Sequence, residues 1–270
     1  MFRYSPALAG LTLLASLTSS AVFAQGQVAN ARGQVPLVGG TGISAGSPTG
    51  SGASNGIAYA GLGLAYLNPD PSVSKDYDGS MVLGAGFFDP RQTFGALDLS
   101  MAIISLTDEF ADSGSFNAVW HRVLPEGWGS IAIGVENFGT WGTAKDLDTE
   151  TTTYVAVTKT FLLTQVGVDQ FSRITLTVGG GDGRLRTVDS LGRTEGAEIA
   201  PFAAIAFKPS ARTALVLDAN SSLLNAAFSF LPFRSLPITA SLGATDVLNR
   251  VETGAGPVVT FGIGIGFPLF

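Results

Sequence analysis

The sequence predicts an all-β fold: a closed, antiparallel, up-and-down transmembrane β-barrel of about twelve strands. Three observations carry that expectation. Apolar residues recur at every second position over many short stretches. Apolar content is 46%, with 35 glycines, yet no stretch beyond the N-terminus has the unbroken apolar run of a spanning helix. Long connections alternate with short ones along the chain. Strands cross lipid only in a closed sheet, because an open edge would leave backbone N–H and C=O groups unpaired where no water reaches them.

At the N-terminus, Arg3 precedes an apolar run from Ala7 to about Leu17, a polar Thr18-Ser19-Ser20 break, and Val22-Phe23-Ala24 before Gln25. This order reads as a secretory signal peptide over residues 1–24, cut after Ala24. Residues 25–55 are rich in Gly, Ser, Ala and Thr and nearly free of charge, which predicts a flexible periplasmic tail. A plug folded into the barrel is the alternative, although nothing in the segment repeats an apolar beat. The barrel itself is assigned to residues 56–270.

Twelve candidate strands follow, near Ile57 to Tyr66, Ser80 to Phe88, Ala96 to Ile104, Ser115 to Val123, Ser130 to Asn137, Thr151 to Phe161, Arg173 to Gly180, Ala197 to Phe207, Arg212 to Asn220, Leu223 to Leu231, Pro237 to Ala244 and Pro257 to Phe267. The last is the clearest: Val259, Phe261, Ile263, Ile265, Phe267 and Leu269 share one parity, with Thr260, Gly262, Gly264 and Gly266 between them. One face is apolar and the other tiny, which suits lipid on one side and a lumen on the other. Elsewhere the lipid parity holds Met81, Leu83, Leu97, Leu99, Met101, Ile103, Ile131, Ile133, Leu176, Val178, Phe228 and Leu242. The lumen parity holds Gly84, Gly86, Asp98, Ser100, Gly134, Glu136, Thr175, Thr177, Asn225, Ser229, Thr239 and Ser241.

If the first strand rises from the periplasm, the outer connections run near Leu67 to Gly79, Ser105 to Gly114, Phe138 to Glu150, Gly181 to Gly196, Ser221-Ser222 and Thr245 to Gly256. The inner ones are shorter, with the tight Ser221-Ser222 hairpin and the Leu162 to Ser172 stretch as exceptions, as expected of an outer-membrane barrel. Aromatics gather near strand ends, among them Phe88, Phe94, Trp120, Trp128, Phe138, Trp141 and Phe233, as interfacial girdles would require.

A signal peptide, alternating strands and a terminal Phe270 together resemble bacterial outer-membrane barrel proteins, whose last aromatic is read by the assembly machinery. Phe270 breaks the parity of Phe261 to Leu269, and Pro268 interrupts the strand edge. Two stretches look like exopolysaccharide-export-associated barrels and cyanobacterial envelope proteins. One runs from Gly127 through Gly134-Val135-Glu136-Asn137-Phe138 to Trp141-Gly142. The other runs from Leu217-Asp218-Ala219-Asn220 through Leu223-Leu224-Asn225-Ala226-Ala227-Phe228 to Gly243-Ala244-Thr245-Asp246. The resemblance implies lipid, the barrel-assembly machinery, and glycan or small solutes as partners, and carries over no catalytic residue.

Loss of Arg3 with the signal leaves 14 basic against 21 acidic residues, a net charge of −7 that disfavours nucleic acid as a partner. Cysteine is absent. A single histidine, His121, excludes a His-rich metal site. With Ser130 across a turn and Asn117 on its own parity it could form a nucleophile triad, but Val119 and Val123 on that parity aim it toward lipid, which favours a structural role. No enzyme activity and no cofactor are expected. Asp146, Asp148 and Glu150 form an alternating acidic run in an outer loop, with Asp70, Asp76 and Asp78 in another; these are weak calcium candidates in spacing unlike an EF-hand. Gly179 to Gly183 resembles a phosphate-cradling loop, but no Lys-Ser or Lys-Thr follows, so a flexible loop is expected.

The lumen is the remaining candidate site, lined by Asp98, Glu136, Asp218 and Asn225. If open, its carboxylates would bias it toward cations or hydrogen-bond sugar hydroxyls. The function expected is a narrow channel for small solutes or glycan. Two alternatives stand beside it: a non-conducting structural or adhesive envelope barrel acting through its outer loops, and an exported soluble β-sandwich.

Overall fold

The computed structural model describes residues 41–66, 77–104, 106, 110–142, 151–165, 171–186, 198–221, 223–248 and 257–269. Twelve strands form within them: β1 (Ile57–Tyr66), β2 (Tyr77–Phe87), β3 (Ala96–Ile103), β4 (Gly114–Val123), β5 (Ser130–Trp141), β6 (Thr152–Gln165), β7 (Phe171–Gly181), β8 (Ala200–Ser210), β9 (Thr213–Asn220), β10 (Leu224–Phe230), β11 (Ile238–Thr245) and β12 (Val258–Pro268). Each pairs antiparallel with its neighbours in sequence. β1 then closes on β12, in a register running from Ile57 opposite Pro268 to Tyr66 opposite Val259. No edge is left, and Pro268, which has no N–H to donate, sits at the last rung of that ladder. The sheet is a single closed barrel, which removes the β-sandwich alternative.

The alternation read from the sequence is the alternation of the wall. Leu83, Leu99, Ile133, Val155, Val178, Leu215, Leu217, Leu242, Phe261 and Ile263 are exposed on the outside. The intervening Asp98, Glu136, Thr175, Thr177, Asp218, Asn225, Ser229 and Thr239 are buried inside. Ile103, expected on the exterior, is instead covered at the end of β3. Phe88, Phe94, Trp128 and Phe233 stand exposed at the end with the short turns. Phe116, Phe138 and Trp141 cluster at the opposite end, with ring centroids 6.2 and 5.3 Å apart.

Inside, large rings lie over glycines of the adjoining strand. Tyr59 faces Gly84, Tyr154 faces Gly134 and Phe202 faces Gly179 in register. A Cβ on those glycines would come within 2.3, 2.3 and 2.2 Å of the ring. The glycines are therefore the sockets that let three aromatics lie flat against the wall, the cross-strand pairing known as aromatic rescue. In β5, Asn137 adopts a φ of 58° and the register against β4 shifts there. That bulge turns both Glu136 and Asn137 inward, and it is held because Asn137 N–H donates to Asn117 Oδ1 at 2.9 Å and Ser115 Oγ donates to Asn137 Oδ1 at 2.8 Å.

The expected periplasmic tail is corrected for the part described. Residues 41–50 and 52–54 are buried within the barrel. Residues 41–46 climb from the short-turn end, beside Lys208 and Ser229, toward the long-loop end, beside Asn225 and Arg184; the chain then turns back past Thr158 and Asp98 and enters β1. The physical reason is that inward carboxyl groups need donors, and this uncharged segment supplies backbone N–H groups and hydroxyls. Residues 1–40, and with them the expected signal peptide, lie outside the described residues, as does Phe270.

Candidate functional site: the lumen and its insert

Asp218, projecting inward from β9, grips the apex of the insert. Its Oδ2 accepts from Ala45 N–H at 3.0 Å, from Ser47 N–H at 3.0 Å and from Ser44 Oγ at 2.7 Å; its Oδ1 accepts from Ser47 Oγ at 2.6 Å. Ser44 Oγ shares its single proton between Asp218 Oδ2 and the Ser47 carbonyl. Four donors on one buried carboxylate form a strong anchor. Gly46 sits at φ +151° against Asn225, where a Cβ would come within 2.7 Å of Asn225 Nδ2, so the apex is built for glycine.

Asp98, on β3, holds the returning limb. Its Oδ2 accepts from Ala53 N–H at 2.8 Å and its Oδ1 from Tyr59 Oη–H at 2.9 Å. Gly52 lies between Asp98 and His121, where a Cβ would meet Asp98 Oδ2 at 2.9 Å and His121 Cδ2 at 3.1 Å. Three further contacts complete the seat: Lys208 Nζ donates to Thr41 O at 2.8 Å, Gly42 N–H to Ser229 Oγ at 3.0 Å, and Gly50 N–H to Thr158 Oγ1 at 2.9 Å. Apolar packing is slight by comparison: Ile43 and Ala45 rest on Ala206, Ala214 and Val216, and Ala53 on Tyr59 and Val82.

Glu136 does something different. It accepts from Arg184 Nε at 2.7 Å, and Arg184 Nη1 donates to Gly46 O at 3.0 Å. Arg184 belongs to a one-turn 3-10 helix (Gly183–Leu185) that folds into the long-loop mouth, where Gly183, Arg184 and Leu185 are buried. The expected flexible glycine loop is thus corrected: Gly179 to Gly181 end β7, and Gly183, at φ 54°, starts the turn that caps the insert.

The four lumen residues singled out in the sequence, Asp98, Glu136, Asp218 and Asn225, all lie inside. Asp98, Glu136 and Asp218 do not face an open pore: their oxygens are engaged by the insert, by Tyr59 or by Arg184, which corrects the expected cation bias. His121 is a second correction, since it points inward rather than to lipid and is only 2% exposed. Its parity is that of Ser115 and Asn117, and Val119 misled because it packs inside against Ala132, Tyr154, Leu185 and Phe202. His121 Nε2 lies 2.9 Å from Ala53 O; a carbonyl only accepts, so Nε2 carries the proton. Asn117 is engaged by Asn137 and Ser100, and no hydrogen bond joins His121 to Ser130 among the described residues. Asp70, Asp76, Asp146, Asp148 and Glu150 lie outside the described residues, as does the side chain of Asp78.

Sequence reasoning missed Lys208, Thr158 and Arg184. The absence of charge from the Gly/Ser/Thr segment, set against inward carboxylates in need of donors, is the signal that could have paired them.

Among the described residues, the insert leaves one side of the lumen unfilled. Between Gly42, Ser44 and Gly46 and the walls of β10, β11, β12 and β1 lies a cavity with about 60 Å³ open to the centres of water molecules. A single water needs roughly 10–15 Å³ by that measure, so several fit.

No family model and no curated protein matches this sequence. Among solved structures, the chain is similar in fold to the outer membrane protein Omp33 of Acinetobacter baumannii, at 8% identity and a TM-score of 0.44, covering 79% of this chain and 98% of that one. Nothing about the activity of this chain follows from so distant a likeness.

Proposed function

We propose that the protein is an outer-membrane barrel that passes small solutes along a lumen narrowed by its own N-terminal insert. The apolar exterior, bounded by aromatics at both ends, supports the membrane setting, since a soluble barrel would not display Leu215, Leu217, Val178 and Phe261 to water. The observation that carries passage is the way the insert is held. It is seated through polar contacts to wall residues of β3, β4, β6, β8, β9 and β10, leaving on the far side a space large enough for several water molecules. A filled, inert core would be sealed by close apolar packing instead. Glycan stays within this proposal through the likeness of the hairpin from Gly127 to Gly142 to exopolysaccharide-export barrels, but a polymer would need residues 41–55 to leave first. No catalysis is assigned.

Planar-bilayer recording of the full-length protein beside a variant lacking residues 41–55 tests this. Low conductance in the first and a large, steady conductance in the second are expected. Silence from both, in barrels verified as folded, would overturn passage and favour a structural envelope barrel.

A further inference from the structure

The lumen is chemically divided. Asp98, His121, Glu136, Arg184, Lys208 and Asp218 gather where the insert is seated, on β3, β4, β5, β8, β9 and the turn after β7, while buried Asp246 follows Thr245 at the long-loop end of β11. The unfilled side is different in kind. Its wall is Ala227 and Ser229 of β10, Ser241, Gly243 and Thr245 of β11, Thr260 and Gly262 of β12 and Gly63 of β1, and its lining holds no charged side chain among the described residues. Ser229 lies toward the short-turn end of β10 and Thr245 at the long-loop end of β11, so the long dimension of this crescent follows the barrel axis.

A second observation points to an occupant. Ser80 Oγ is buried without a hydrogen-bond partner, and it would lie 3.2 Å from a Cβ placed on Gly63, a residue of the cavity wall. At the other end, Thr41 Oγ1 beside Gly42 is likewise buried and unpartnered. Buried hydroxyls of this kind are ordinarily met by water or by another hydroxyl.

We infer that the crescent between the insert and β10, β11, β12 and β1 is a path for water and small uncharged hydroxylated molecules of glycerol size, and that it disfavours ions. This rests on the reading of the barrel as a passage and names its solute class. Serine and threonine hydroxyls both donate and accept, so they can replace the water lost by a polyol hydroxyl on entry. An ion entering the same strip would shed its hydration with no charged side chain in the lining to compensate, because Asp98, Glu136 and Asp218 are engaged across the lumen.

The test is osmotic swelling of proteoliposomes holding the full-length protein, in isosmotic glycerol, sucrose or potassium chloride. Ser241 faces Ser229 on one side and Gly262 on the other, so Ser241→Leu would fill the crescent at mid-length, whereas Ser241→Ala removes only the hydroxyl. Heat-modifiable migration on gels verifies folding, and Thr260→Leu serves as a second obstruction should Ser241→Leu fail to fold. Rapid swelling in glycerol but not in sucrose or potassium chloride is expected, falling to the level of protein-free vesicles in the obstructed variants and persisting in Ser241→Ala. Potassium chloride entry as fast as glycerol, or swelling unchanged by both obstructions, would overturn the inference. Its failure is distinguishable from failure of the passage reading. In the latter case the variant lacking residues 41–55 would also be tight, whereas a leaky deletion with obstruction-insensitive swelling would defeat the crescent alone.

Discussion

Replacing Asp218 with alanine should loosen the insert more than any other single change in the lumen. The carboxylate receives two backbone N–H groups, from Ala45 and Ser47, and two hydroxyls, from Ser44 and Ser47, in a site where Asp218 is 1% exposed. The hydroxyls can rotate to other acceptors, but the two N–H groups cannot. Each buried donor left unpaired costs about 1–3 kcal/mol, so the seat weakens by about 2–6 kcal/mol. At about 1.4 kcal/mol per tenfold, the population with the insert displaced rises by roughly 30-fold to 10⁴-fold. Single-channel recording reads this as open probability, and limited proteolysis reads it as cleavage within residues 41–55 of a barrel that stays folded. Asp218→Asn should fall between, since its one remaining carbonyl oxygen keeps part of the acceptor set. If Asp218→Ala matched the unmodified protein in both assays, the carboxylate could not be the anchor.

Other outcomes follow from the same geometry. Glu136→Ala leaves Arg184 as an uncompensated buried cation, a loss of about 3–5 kcal/mol that should lower the urea midpoint of the barrel in lipid vesicles. Gly134→Val drives a side chain into Tyr154, so the yield of heat-modifiable folded protein should drop, and Gly134→Val with Tyr154→Ala should recover part of it. Trp128→Ala removes the ring that Lys159 Nζ covers at 4.8 Å on the exterior, with an expected loss of about 0.5–1 kcal/mol in the same urea assay.

The wall was legible from the sequence because a strand has only two faces. Once Phe261, Ile263 and Ile265 were set against Gly262 and Gly264, every neighbouring strand had to respect the same inside and outside, and the inward placement of Asp98, Glu136, Asp218 and Asn225 followed. The insert was not legible in this way. Residues 41–55 carry no period, since their hold on the barrel is made by backbone N–H and short hydroxyls whose spacing follows the wall and not their own secondary structure. His121 was misjudged for a related reason: Val119 is apolar yet inward, because Tyr154 and Phe202 form an apolar pocket within the lumen. Arg184 lay hidden in a glycine-rich stretch where only tertiary contact with Glu136 gives the turn its place.

The central claim is that the chain's own segment occupies the lumen of a lipid-embedded barrel. The sequence has no cysteine, so Ile43→Cys introduces a unique thiol at a position that is 1% exposed and packed on Ala206, Ala214 and Val216. Its labelling by a charged, water-soluble thiol reagent, in folded protein reconstituted into vesicles, is the most direct measurement. Strong protection in the folded barrel, lost on unfolding in urea, is the expected result. Labelling in the folded barrel as fast as in the unfolded chain would place residue 43 in open solvent and contradict the account.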